Sequence, residues 1–198
     1  MLSIVTLISG SGTNLLSLLK ACDNPLYPAK VLAVGSDKDA AGLRHAEQFG
    51  VPTFVVEPDR FDSRQDWAEV LASNVNHLKP DLIVLAGFMK ILPESFIDRF
   101  SPKIINLHPS LLPHFPGAHA VRDALRSGEK VTGCSVHVVD AGVDTGPVIE
   151  SRQVEIHPGD DEQSLHERIK VQEQMMLVGV VRNIAEGKIN LEEFDGNR

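Results

Sequence analysis

Three short apolar runs, Leu2–Ile8, Leu82–Ala86 and Lys103–Leu107, constrain this chain more than any other feature of it. A strand apolar at nearly every position has to be covered on both faces, and in a parallel sheet helices provide the cover. The intervening sequence contains them. After the first run comes S-G-S-G-T-N, and Leu15, Leu16, Leu18 and Leu19 then recur at helical spacing. Lys30–Gly35 reads as a second strand, and Ala40–Phe49 as a helix stopped by Gly50 with Pro52 beyond. Thr53–Glu57 is a third strand. Asp62 or Ser63 caps a helix whose stripe of Trp67, Val70, Leu71, Val75 and Leu78 ends before Pro80. Leu82–Ala86 is the fourth strand, Pro93 opens a short helix over Glu94–Phe100, and Lys103–Leu107 is the fifth strand.

Strand and helix thus alternate, which predicts an α/β fold built on a Rossmann-like, doubly wound, mostly parallel sheet. Beyond it, Ala118–Arg126 is helical and Gly128 ends it. Val131–Val139 alternates as a strand, with Val136 and Val138 opposite His137 and Val139. The turn D-A-G-V-D-T-G-P leads into Val148–Ile156, so a C-terminal strand pair extends the sheet. Gly159-Asp160-Asp161 starts a last long helix with Leu165, Ile169, Gln172, Met176 and Val180 on one stripe. No repeat, linker or low-complexity tract interrupts the chain, so residues 1–198 read as one domain of two joined halves.

Composition narrows the function classes. Of 198 residues 42% are hydrophobic and 23% charged, enough for a sizeable core. A net charge of −8 argues against a nucleic-acid partner, which would require Lys and Arg in excess on one face. No apolar run approaches the ~20 residues of a membrane span. The opening M-L-S-I-V-T-L-I-S-G has no basic segment and reads as a strand, not as a signal peptide. Cys22 and Cys134 form no C-x-x-C and no disulfide framework, and a reducing cytoplasm is expected.

The chemistry gathers in Ile104–His119, I-I-N-L-H-P-S-L-L-P-H-F-P-G-A-H. Its prolines and glycine forbid helix and fix a loop at the end of a strand, where open parallel sheets bind ligands. Asn106 and His108 sit two apart, so in extended backbone they point the same way. One is an amide able to hold an oxyanion, the other the side chain that titrates nearest neutrality. The ordinary alternative is a turn containing a capping Asn and a surface His. A second candidate is the glycine loop. Gly10 and Gly12 match G-x-G-x-x-G, but Leu15 holds the third position, leaving a phosphate site and a plain tight turn both open. Lys170 and Glu173, three apart on the last helix, either meet one ligand or form a surface ion pair.

Other chemistries fit less well. Ser110 or Ser135 could join His108 and Asp144 as a hydrolase triad, yet no G-x-S-x-G elbow is present. His108, His114, His119 and His137 contain no H-x-x-x-H pair, so no metal site is expected and surface histidines are. A nucleotide-binding module would use the glycine loop with Asp37 on a ribose, but the third glycine is missing.

Four ordered blocks carry a resemblance: I-S-G-S-G-T-N-L at the start, V-L-A-G-F-M-K-I-L at 84–92, I-N-L-H-P-S-L-L-P at 105–113, and D-A-G-V-D-T-G-P at 140–147. Across nearly its whole length the chain resembles the folate-dependent phosphoribosylglycinamide formyltransferase family. The resemblance implies the formyltransferase fold, with a nucleotide-binding half over about 1–101 and a folate and catalytic half over about 102–198. It implies transfer of a formyl group from 10-formyltetrahydrofolate to glycinamide ribonucleotide in purine synthesis, without a metal, by a monomer or homodimer. Asn106, His108 and Asp144 match the family's catalytic trio. Gly12, Thr13 and Asn14 match its substrate-phosphate loop, and Lys170 and Glu173 its phosphate and ribose contacts. Arg64, Met89, Lys90, Ile91 and Leu92, together with Asn106, Asp140, Ala141, Gly142, Val143 and Asp144, match folate contacts. Lys90 stands where some members carry Arg, and Lys170 where some carry Gln. Methionyl-tRNA formyltransferase resembles a longer, RNA-binding protein, and formyltetrahydrofolate hydrolase resembles this domain behind a regulatory one. Both are expected to be poorer matches for an acidic chain of this length. The chemistry agrees with the resemblance. An amine attacking a formyl carbon makes an oxyanion for Asn106 to hold, His108 shuttles the proton, and Asp144 stabilises the protonated ring.

Overall fold

The computed structural model describes residues 1–195. In chain order the elements are β1 (Leu2–Ile8), α1 (Thr13–Cys22), β2 (Ala29–Ser36), α2 (Leu43–Gln48), β3 (Thr53–Val55), α3 (Arg64–Leu78) and β4 (Leu82–Leu85). They continue with α4 (Glu94–Phe100), β5 (Ile104–His108), α5 (Ala120–Ser127), β6 (Val131–Val138), β7 (Val148–Glu155) and α6 (Glu162–Ala185). One sheet of seven strands runs β3-β2-β1-β4-β5-β6-β7. The first five are parallel, and β6 and β7 add on as antiparallel strands. This is the doubly wound sheet with its C-terminal strand pair.

Each strand feeds two cores because successive side chains alternate in direction. Ile4, Ile8, Leu82, Val84, Ile105 and Leu107 face one core with residues of α1, α2, α5 and α6. Val5, Leu7, Ile83, Leu85 and Ile104 face the other, beneath Trp67, Leu71 and Val75 of α3 and Phe96 and Phe100 of α4. By the same alternation Asn106 and His108 share the side of Ile104, Asn106 level with Leu85 at the end of β4 and His108 beyond it.

Local differences from expectation have local causes. Residues 40–42 are a turn, not the first turn of α2, because the Gly42 N–H goes to the Gly10 carbonyl (3.0 Å). The third strand stops at Val55, and Pro58–Arg60 form a 3-10 turn. Ser63, not Asp62, caps α3, its hydroxyl accepting from the Asp66 N–H (3.1 Å). On α6 the stripe continues from Ile169 to Glu173, not Gln172, which lies half-buried at the stripe's edge. The N-terminus of α6 is pinned by a capping box between Asp161 and Ser164, and Arg168 pairs with Asp160 while donating to the Glu155 carbonyl.

Candidate active site

A cleft of about 530 Å³ opens along the C-terminal ends of β1, β4 and β5. The glycine loop Gly10–Asn14 lines it, with Met89–Leu92 beside that loop through the Met89 N–H on the Ser9 hydroxyl (2.8 Å), and Asp140 and Gly142–Asp144 line it from the loop after β6. Asn106, His108 and His137 line it as well, and Glu162, His166, Lys170 and Glu173 contribute one face of α6.

The floor is built across two strands. Register pairs Asn106 on β5 with His137 on β6, so both side chains leave the sheet on one side. His137 faces the Val138 carbonyl through Nδ1 (2.9 Å), which assigns that nitrogen the proton and leaves Nε2 to accept from Asn106 Nδ2 (3.1 Å). The second Asn106 N–H reaches Asp144 Oδ1 (3.4 Å). His108 places Nδ1 3.3 Å from Asp144 Oδ2 and Nε2 2.8 Å from the Phe115 carbonyl. Both of its ring nitrogens therefore face oxygens, so the doubly protonated ring can donate on each side.

Asp144 is the hub of this floor. It also accepts from the Gly117 N–H (2.8 Å) and lies 3.5 Å from His137 Nε2. Its backbone takes a left-handed φ of 54°, which Asp tolerates better than most residues. Burial raises the Asp144 pKa, but the adjacent His137 ring, the hydrogen bond from the Gly117 N–H and the charge of His108 outweigh it, so the carboxyl sits below its ordinary value. The preceding loop is tied by Asp140, which accepts from the Gly142 N–H (3.1 Å) and the Thr145 hydroxyl (2.7 Å).

In the glycine loop, Gly12 caps α1 at φ 70°. A Cβ there would meet Gly42 Cα at 2.9 Å, so the loop lies flat against the turn before α2. Asn14 Nδ2 donates to Glu173 Oε2 (3.0 Å), joining α1 to α6, while Asn14 Oδ1 is buried without a partner. Glu173 is 5% exposed. Burial raises its pKa against the opposing pull of Asn14 and Lys170. It is a cleft-wall carboxyl in the core stripe, so the surface ion-pair alternative does not hold.

Most residues expected from sequence lie together in this cleft. Two stand apart. Arg64, the exposed first residue of α3, lines no part of the cleft but donates to the Ile91 carbonyl behind it. Ala141 turns into a neighbouring depression of about 310 Å³ beside α4 and Phe194. His108 and His137 are not surface histidines: at 5% and 2% exposure they are buried where β5 and β6 pair, whereas His114 and His119 are exposed. His137 is the functional-site residue that the sequence reading missed. The available signal was its alternation opposite Val136 and Val138, which puts it on the Asn106 side. The hydrolase alternative also fails. Ser110 gives its hydroxyl to the His114 carbonyl (2.5 Å) and Ser135 to the Ser110 carbonyl (2.8 Å), both fully buried. Among the described residues no group of three or more His, Cys, Asp or Glu side chains is arranged to hold a metal, and no helix is long and apolar enough to cross a membrane.

The sequence profile of the formyl transferase family matches residues 2–181. This chain belongs to that family. Among curated relatives of this formyl transferase is the phosphoribosylglycinamide formyltransferase of Mycobacterium tuberculosis, 47% identical over 182 residues, covering 92% of this chain and 84% of the relative. The Escherichia coli protein of that name is 39% identical over 202 residues, covering 100% and 95%. Among solved structures, glycinamide ribonucleotide transformylase 1 from Symbiobacterium toebii superposes with a TM-score of 0.92 at 41% identity, over 94% of this chain and 89% of that one.

Proposed function

We propose that this formyl transferase moves the formyl group of 10-formyltetrahydrofolate to the amine of N1-(5-phospho-D-ribosyl)glycinamide, yielding the N2-formyl product and tetrahydrofolate in de novo purine synthesis. The observation that carries the reading is the single cleft that brings together the glycine loop, the Met89–Leu92 segment, the loop after β6 and the cluster of Asn106, His108, His137 and Asp144. Two substrates held in this one cleft can meet at that cluster.

The phosphate lies on the N–H groups of the Gly12–Asn14 loop at the start of α1, with Lys170 adding charge and Glu173 receiving ribose hydroxyls. The folate lies along Met89–Leu92 and Asp140–Asp144. Its glutamate tail leaves toward Arg64, outside the cleft. The amine nitrogen attacks the formyl carbon, the carbonyl becomes an oxyanion, and the bond to N10 of the folate breaks as the amine proton is relayed to that nitrogen. Asn106 holds the oxyanion by redirecting an N–H from His137 or Asp144. His108 relays the proton, and Asp144, 3.3 Å from its Nδ1, orients the ring. No covalent intermediate or metal is needed for this transfer. One sheet running through β1 to β7 supports treating the chain as one catalytic unit; in our reading it acts as a monomer or homodimer in the cytoplasm.

The deciding experiment measures tetrahydrofolate release from 10-formyltetrahydrofolate with glycinamide ribonucleotide, water or methionyl-tRNA as acceptor. Release only with glycinamide ribonucleotide is expected. Equal release in water would make the chain a hydrolase, and release with methionyl-tRNA a tRNA formyltransferase.

A further inference from the structure

The cleft-facing stripe of α6 holds two titratable side chains, Glu162 and His166, to which neither the sequence nor the transfer mechanism gives a task. Glu162, His166, Lys170 and Glu173 all line the cleft at helical spacing. Glu173 is fixed to the end of the glycine loop through Asn14, 3.0 Å away. Lys170 stands one turn back from it and His166 one turn further, with roughly 5–6 Å between Cβ atoms at such spacing. We propose that His166 is a second cationic contact in the phosphate subsite, taking up a proton as the dianionic phosphate of the acceptor binds. This rests on the reading of the glycine loop as the phosphate site of the cleft.

The surroundings of His166 support such a switch. Its ring is half-buried on the cleft wall. Burial, then the charge of Lys170, lowers its pKa, and Glu162 offsets them only in part. In the free protein the ring is therefore held toward its neutral form and does not repel Lys170. A phosphate dianion arriving beside both would offset the Lys170 charge and supply a counter-ion for an imidazolium. The remaining ionisable groups lining the cleft are Glu162, Lys170 and Glu173 on the same helix, His119 before α5, and His108, His137, Asp140 and Asp144 from β5, β6 and the loop after β6, with Lys90 after β4. The glycine loop itself contributes only Gly, Ser, Thr and Asn, so side-chain charge for a phosphate comes from neighbouring elements, of which α6 carries Lys170 and His166 on the face that Glu173 ties to the loop. With Lys170 alone a dianion would remain half neutralised. His166 balances it, with the proton coming from solvent.

The test is calorimetric titration of the full chain with ribose 5-phosphate, in two buffers of different ionisation enthalpy, from pH 6.5 to 8.5. Wild type should take up protons near pH 7.5. His166→Gln should take up fewer and bind about three- to tenfold more weakly at pH 6.5, the range of one partly buried charge contact, with the difference shrinking toward pH 8.5. His166→Lys should restore affinity without proton uptake, which a merely structural role for the ring would not produce. Unchanged 10-formyltetrahydrofolate binding checks that each variant is folded. The same proton uptake and affinity in wild type and His166→Gln, or no recovery in His166→Lys, would overturn the proposal. Failure of wild type itself to bind ribose 5-phosphate would instead remove the phosphate reading beneath it.

Discussion

Asp144 touches Asn106, His108 and His137 on the cleft floor, and its consequences can be separated from those of simple packing. Because its pKa is depressed, the carboxylate stays charged through the neutral range, and the stability it adds is present above its unfolded pKa and lost as pH falls through its folded value. Asp144→Asn keeps the size and one acceptor but removes the charge beside His108 and His137. Formyl transfer should fall by the ~10²–10⁴ typical of general acid–base groups. In the proposed mechanism Asp144 acts through His108, so adding His108→Asn should cost far less than the sum of the single losses. Additive losses in that double-mutant cycle would show that Asp144 serves another group. Glu173 behaves oppositely. Its folded pKa is raised, so its contribution to stability is full below the unfolded value and lost as pH rises through the folded one. Glu173→Gln should therefore raise the melting temperature of the ligand-free protein at pH 8, by about 2–4 °C for ~1 kcal/mol in a chain of this size, and by less at pH 5. The same change should raise the KM for glycinamide ribonucleotide about tenfold, through a weakened charge-assisted hydrogen bond. A melting temperature lowered equally at both pH values would mean that the carboxylate is needed structurally.

Between elements, the shape of the glycine loop is set by a neighbour that carries no chemistry. A Cβ on Gly42 would meet Ile8 Cδ1 at 2.8 Å and the backbone of Gly10 and Gly12 at 2.9 Å. Its own φ of −65° suits any residue, so Gly42→Ala adds a steric wedge without backbone strain. The variant should push the loop off α2 and raise the KM for glycinamide ribonucleotide severalfold, while the KM for 10-formyltetrahydrofolate changes little. Equal increases for both substrates would point to a general folding defect. This contact also marks the limit of what the sequence discloses. Apolar runs and proline breaks located the strands and the 104–119 loop, because burial on both faces and missing N–H groups act locally. Gly42 read as part of a helix, since its partner, the Gly10 carbonyl, is distant in sequence. His137 read as a surface side chain for the same reason: its burial depends on the β5–β6 register. Asn106 and His108 were legible because they lie two apart on one strand. The Asn14–Glu173 bond, spanning 159 positions, was not.

At the scale of the whole molecule, the sheet separates two cores while the cleft couples elements on both sides of it. The chain has one Trp and one Tyr, and the fold puts them in different cores. Trp67, on the inner face of α3, is buried and stacked near Phe88 with its indole N–H on the Val56 carbonyl (2.8 Å). Tyr27 is buried on the opposite face, donating to the Val178 carbonyl of α6 (2.9 Å) beneath the Arg182 guanidinium. Each ring therefore reports on one layer without added labels. Strands β1, β4 and β5 contribute alternate side chains to both cores, so neither layer can lose its packing without exposing the back of the other. Unfolding in urea should accordingly give one midpoint, whether followed by Trp67 fluorescence or by Tyr27 near-ultraviolet absorbance. Glycinamide ribonucleotide at about 100 times its Kd should move both curves together by about 2.7 kcal/mol, although the phosphate loop packs against only the Tyr27 side. Separate midpoints, or a ligand shift confined to Tyr27, would show that the α1–α6 layer melts on its own and that the chain is two cooperative units joined at the sheet.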